Sequence, residues 1–186
     1  MKELFIGRRI RLSAPRETDN ETMLSWYEDS TFLRNVDTDL AKPQTLSEIK
    51  SFAESATSDK NNVLFYIRDL ETDSLLGFIA LSGIEWNNGC AMLAIGIGEA
   101  KNRNKGYGTE AIQLLLNYAF NELNLHRVGL NYISFNDAGK HLYGKSGFSH
   151  EGTVREYVHR DGKYYDLVYM GVLRTEWEAL QGKNAL

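Results

Sequence analysis

Residues 103–111, Arg-Asn-Lys-Gly-Tyr-Gly-Thr-Glu-Ala, combine two cations, two glycines one residue apart and an immediate change to good helix formers. A helix N-terminus leaves about four backbone N–H groups unpaired and carries roughly half a positive charge. Glycine lets an anion reach that backbone, and Arg103 and Lys105 add charge, so residues 103–109 read as a phosphate cradle. A plain turn with solvated cations fits the local pattern as well. A Walker A loop is excluded, because G-x-x-x-x-G-K-[S/T] does not occur. Gly106-x-Gly108-x-x-Ala111 fits a dinucleotide variant, G-x-G-x-x-A. That motif should follow its strand at once and be answered by an acidic residue closing the next strand. Here polar residues 99–105 intervene, and the next strand runs out at Phe135-Asn136.

Other reactive side chains say less. His126, His141, His150 and His159 show no metal-ligand spacing, so no metal is expected. The one cysteine, Cys90, excludes an intrachain disulfide and reads as a buried small hydrophobe. Tyr143, taken alone, is a core aromatic on a short amphipathic helix.

These residues need a scaffold. Residues 8–15 alternate as a first strand, and 18–29 open with capping residues and carry Met23, Leu24, Trp26 and Tyr27 as a helix. Residues 29–44 read as irregular. Leu46, Ile49, Phe52 and Ala53 set a helix over 45–56, with Ser47 as an alternative cap. Residues 62–70, 75–86 and 90–98 read as three antiparallel strands joined by tight turns. The strongest helix is 108–123, where Ile112, Leu115, Leu116, Ala119, Phe120 and Leu123 form one apolar stripe. A strand over 127–135, a helix over 137–146 closed by Gly147, a hairpin over 150–173 and a C-terminal helical stub complete the chain. The order predicts an α/β (α+β) fold: a mixed, mostly antiparallel central sheet of about seven strands flanked by helices.

The totals set bounds. With 186 residues, a single domain over 1–186 is expected. A net charge of −4 argues against a nucleic-acid partner, which calls for a basic surplus. No basic-then-apolar leader opens the sequence and no apolar run approaches the ~20 residues of a membrane span, which predicts a cytoplasmic protein.

Arg103-Asn-Lys-Gly106-Tyr-Gly108-Thr109 resembles the R/Q-x-x-G-x-G/A signature of the GNAT acetyltransferases. "NDAGKHLYGKSGF" (136–148) looks like that family's N-x-x-A-x-x-x-Y-x-K-x-G-F segment. "GYGTEA", "LHRVGL" and "EGTVREYVHRDGKYYDLVYM" are similar to the RimJ/RimL-type group. The resemblance runs from the first strand to the last. It implies a GNAT-like sheet whose fourth and fifth strands splay apart, acetyl-CoA as co-substrate, and a primary amine as acceptor in a ternary complex. The pyrophosphate would lie on the amides of Arg103, Asn104, Lys105, Gly106, Tyr107, Gly108 and Thr109. The pantetheine arm would pair with the backbone of Gly96, Ile97 and Gly98, where glycine suits close approach, and with Asn136. Lys145 falls within the same frame. Tyr143 would be the general acid that protonates the departing thiolate, and an amide near Ile97 would polarise the acetyl carbonyl.

The group often carries a glutamate two residues into the fourth strand, where this chain has Met92. Glu85 is the expected substitute base, acting through water; a solvated residue beside a turn is the plainer reading. The acceptor pocket is expected from residues 29–44 and the last hairpin, with Asp37, Asp39 and Glu156 attracting a cation and Trp26, Tyr27 and Tyr164 lining the walls. The acceptor would be a protein N-terminal amine or a small amine metabolite. The alternative is a non-catalytic acyl-CoA-binding module on the same fold. The exposed final hairpin is compatible with a homodimer.

Overall fold

The computed structural model describes residues 3–184. Alternating apolar runs become seven strands: β1 (Ile10–Ser13), β2 (Val63–Asp69), β3 (Leu75–Glu85), β4 (Cys90–Ile97), β5 (Arg127–Ile133), β6 (Ser149–Arg160) and β7 (Lys163–Leu173). They form one sheet in the order β1-β2-β3-β4-β5-β7-β6. Every pair is antiparallel except β4 with β5. A parallel pair needs a crossover, and the strongest amphipathic stretch supplies it as α4 (Tyr107–Asn117). The mixed sheet flanked by helices is the fold class the sequence predicts.

Among the described residues, six α-helices cover the two faces. The larger core packs Ile112, Leu115 and Leu116 of α4, with Tyr143 of α5 (Asp137–Lys145) and Trp177 of α6 (Arg174–Asn184), onto Ile10, Ile67, Ile79 and Val128. A second core on the opposite face joins Met23 and Trp26 of α1 (Asn20–Trp26), Phe32 of α2 (Ser30–Val36) and Ile49 of α3 (Leu46–Ser58) to Tyr66, Leu75 and Phe78. Among the described residues, no helix is long and apolar enough to cross a membrane.

Three local expectations are corrected. Residues 30–36 are helical, not irregular: the Asp29 carboxylate accepts from the Thr31 N–H and caps α2, while Phe32 and Leu33 are buried. Two turns are too short to display a repeating apolar stripe. The α3 cap is Thr45, not Ser47, because Thr45 and Glu48 form a reciprocal capping box. The long helix stops being α-helical at Asn117 and continues as one π turn over Tyr118–Glu122.

Candidate active site

The site begins where two strands part. β4 pairs with β3 from Cys90 to Ile97, but with β5 only through Cys90, Ala91 and Met92, opposite Arg127, Val128 and Gly129. Beyond Met92 the facing edges of β4 and β5 have no ladder. β5 stays with β7 on its other edge along its whole length. Buried backbone groups without partners are costly, so this opening favours a ligand that can pair with strand backbone. A cavity of about 820 Å³ fills it, walled by β4, β5, α2, α5 and the loop before α4.

Residues 99–106 wrap the mouth of α4. Asn104 and Gly106 have φ of 59° and 85°. Glycine is needed at 106, since the left-handed conformation there starts the helix. Gly106 is the N-cap and has no side chain to satisfy the first turn. The N–H groups of Tyr107, Gly108 and Thr109 have no protein acceptor among the described residues, and all three residues line the cavity. Bare amides at a helix N-terminus form an anion site.

The cations of the loop behave differently from the expectation that they add free charge to the cradle. Arg103 lines the cavity, but its guanidinium turns inward: Nε donates to the Ile97 carbonyl at 3.1 Å and Nη2 to the Asp29 carboxylate at 3.2 Å, over the Phe32 ring. This clamp ties β4 to the start of α2. The Lys105 side chain is exposed and outside the cavity wall, while its carbonyl accepts from Arg9.

Of the strand positions, Gly96 and Ile97 line the cavity and Gly98 does not. The glycines serve packing. A Cβ on Gly98 would lie 2.0 Å from the Trp26 ring, and one on Gly96 would lie 2.8 Å from Phe78. Gly98 also spends its N–H on Leu76 and gives its carbonyl to Arg103. The expected close approach at Gly98 is therefore to tryptophan.

Across the opening, α5 presents Asn136, Tyr143 and Lys145 to the cavity. Asn136 caps α5 by accepting from the Gly139 N–H at 2.8 Å, which leaves its amide Nδ2 free. Tyr143 is 8% exposed, its ring packed against Tyr132 and Phe148. Its hydroxyl makes no hydrogen bond among the described residues. Burial, with a smaller contribution from Tyr132, pushes the phenol up to about 12. The side chain is thus a protonated donor facing the opening.

Glu85 is not brought to this group. It ends β3 opposite Cys90, and its carboxylate accepts from Asn88 in the turn. Met92 lines the cavity instead. Of the acceptor-side candidates, Asp37 lines the cavity; Asp39 and Glu156 do not. Trp26 is core, and Tyr164 is exposed against His159 on the hairpin. Thr31 and Asn35 line the wall within the segment 29–44 expected to form the acceptor pocket, while Ser82, Asn131 and His141 line it without having been expected there. No local motif marks them; topology collects them. Among the described residues, no three His, Cys, Asp or Glu side chains converge as metal ligands do.

Comparison with known proteins gives a consistent result. The family described as acetyltransferase (GNAT) domain matches residues 9–149. The SPbeta prophage-derived uncharacterized N-acetyltransferase YokL of Bacillus subtilis (strain 168) is 30% identical over 155 residues, covering 83% of this chain and 85% of that protein. The spermidine N(1)-acetyltransferase of Vibrio cholerae is 27% identical over 134 residues, covering 72% of this chain and 76% of that protein. A crystal structure of spermidine N-acetyltransferase from Vibrio cholerae in complex with CoA and spermine superposes with a TM-score of 0.82 at 23% identity, over 91% of this chain and 98% of that one. At that identity, the superposition speaks for the fold.

Proposed function

The chain belongs to the GNAT acetyltransferase family and is an N-acetyltransferase; from that premise we propose that it moves an acetyl group from acetyl-CoA to a primary amine, directly, with both substrates bound, as a single RimJ/RimL-type domain. The acceptor is a small amine metabolite or a protein N-terminal amine. The observation that carries the reading is the parting of β4 from β5 after Met92, beside a helix N-terminus with bare amides. One half of such an opening suits an extended amide-bearing arm, and the other suits its pyrophosphate.

Each residue then has a task. The amides of Tyr107, Gly108 and Thr109 hold phosphate oxygens, with Asn104 and Gly106 shaping the loop. Lys145 supplies a free cation at the wall, whereas Arg103 fixes the loop to β4. Gly96, Ile97 and the Nδ2 of Asn136 pair with the arm. As the neutral amine attacks the acetyl carbonyl carbon, a C–N bond forms and charge collects on the carbonyl oxygen, where a strand amide near Ile97 stabilises it. Collapse of that adduct breaks the C–S bond. The leaving sulfur takes the Tyr143 phenol proton, the nitrogen gives up its extra proton to solvent to leave a neutral amide, and solvent returns a proton to the phenolate. Burial keeps the donor protonated at every working pH. Glu85 has no place in this scheme; the amine loses its first proton to water before attack.

The test is direct. Purified protein should bind acetyl-CoA and release free thiol with at least one amine from a panel of polyamines, amino acids, aminoglycosides and peptides. Failure to bind acetyl-CoA overturns the reading.

A further inference from the structure

The wall of the cavity opposite α5 is a bar held at both ends by arginines. At its start, Asp29 caps α2 and bonds Arg103 at the phosphate loop. The seven residues of α2 span about 10 Å, and Asp37 follows its last residue, Val36. There Arg160, from the far tip of the β6–β7 hairpin, reaches over. Its Nη2 donates to the carbonyls of Asp39 at 2.8 Å, Thr38 at 3.3 Å and Asp37 at 3.4 Å, while Nη1 holds its own strand through the His159 carbonyl. Its Nε is buried without a partner. Beside it, Arg34 of α2 and Asp161 of the hairpin form a two-pronged ion pair.

The bar has a chemical consequence. Among the described residues that line the cavity, Asp37 is the one carboxylate, set against Arg103, His141 and Lys145. One Asp37 oxygen accepts from the Thr38 and Asp39 N–H groups at 2.6 and 3.2 Å, and the other has no hydrogen bond. With Arg103 neutralised by Asp29, the cavity has the Lys145 ammonium at its α5 end and the Asp37 carboxylate at the end of α2.

Resting on the acetyltransferase reading, we propose that Arg160 is a positioning residue: by gathering three carbonyls it fixes residues 37–39, so that Asp37 selects acceptor amines by the charge they carry away from the reacting nitrogen. A positive or neutral group is accepted and a carboxylate is repelled. Arg160 touches neither substrate.

Cadaverine and δ-aminovalerate share a chain length and one terminal amine, and differ at the other end in ammonium against carboxylate. Wild type should favour cadaverine in kcat/KM by about tenfold or more, the effect of one well-placed charge in a partly screened site. Asp37→Asn should bring the ratio near unity. Arg160→Gln should raise the cadaverine KM by about fivefold to tenfold while kcat and the acetyl-CoA KM stay within about twofold, and Arg160→Lys should recover part of the loss. A merely structural arginine would instead lower kcat or raise both KM values together, and that result overturns the proposal. So does equal use of the two probes by wild type, or turnover of neither. In the last case, reaction of another panel amine leaves the acetyltransferase reading standing, and silence across the whole panel removes it too.

Discussion

At the residue scale, the site depends on whether a side chain has its polar end free. Tyr143 has, at the cavity wall, whereas Glu85 ends its strand outside the cavity, with one carboxylate oxygen accepting from Asn88. Tyr143→Phe keeps the ring between Tyr132 and Phe148 and removes only the hydroxyl. It should lower kcat by about 10²-fold to 10⁴-fold, the usual worth of a positioned acid, with acetyl-CoA affinity within about twofold by calorimetry. Because burial raises the phenol to about 12, the proton is present below that value and lost only above it. The wild-type kcat profile should therefore rise with pH as the amine deprotonates and show no descending limb from Tyr143 below pH 10. A limb near pH 8 that vanishes in Tyr143→Phe would contradict this. The tyrosine was legible because it stands in a spaced motif. Glu85 was misleading because sequence gives its strand but not which end of the strand meets the cavity. Arg160 left no signal at all: its partners lie 121 to 123 residues away.

At the element scale, strands and long helices follow from period, and the errors are where period is short or glycine is ambiguous. Gly98 was expected to admit a ligand to the strand, yet tryptophan occupies the space, while Gly96 lines the cavity with Phe78 beside its missing side chain. Glycine in a strand says only that something comes close. The consequence is testable. Gly98→Ala would drive a methyl into the Trp26 ring and should destabilise by about 1–3 kcal/mol through overpacking, read as a lower denaturant midpoint. Combining it with Trp26→Leu should recover part of the loss, because the fused edge of the indole is the obstacle. If Gly98→Ala instead melts like wild type and only weakens acetyl-CoA binding, the glycine serves the ligand after all. The parting of β4 from β5 also belongs to this scale. No residue encodes it alone: β4 stays with β3 to Ile97 and β5 with β7 to Ile133, while the ladder between β4 and β5 ends at Met92.

At the scale of the whole molecule, one sheet carries a core on each face, with Tyr143 and Tyr132 buried in the larger and Tyr66 in the smaller. Burial pushes the Tyr143 and Tyr66 phenols up to about 12 from an ordinary 10. The folded state thus holds these protons more tightly than the unfolded chain does. The stability they represent is fully present below pH 10 and is lost as pH rises from 10 to 12, by roughly 3 kcal/mol for each tyrosine over that window. Urea midpoints should be level up to about pH 10 and fall steeply above it. The Tyr66 hydroxyl is buried with no partner, so Tyr66→Phe removes a desolvation cost rather than a hydrogen bond. That variant should be as stable as wild type or more so at pH 7, and its alkaline slope should be shallower, with Tyr143 and Tyr27, also raised to about 12, still contributing. The shape of the transition carries a second result. If the two faces share the sheet as one cooperative unit, circular dichroism and tryptophan fluorescence must report a single midpoint at pH 11, because ionising either phenol strips one face from strands that the other face needs. Separate midpoints would mean that α1 to α3, with the acceptor wall they carry, open independently of the cradle. The two arginine clamps at Asp29 and residues 37–39 argue against that, since each ties this layer to an element of the other half of the sheet.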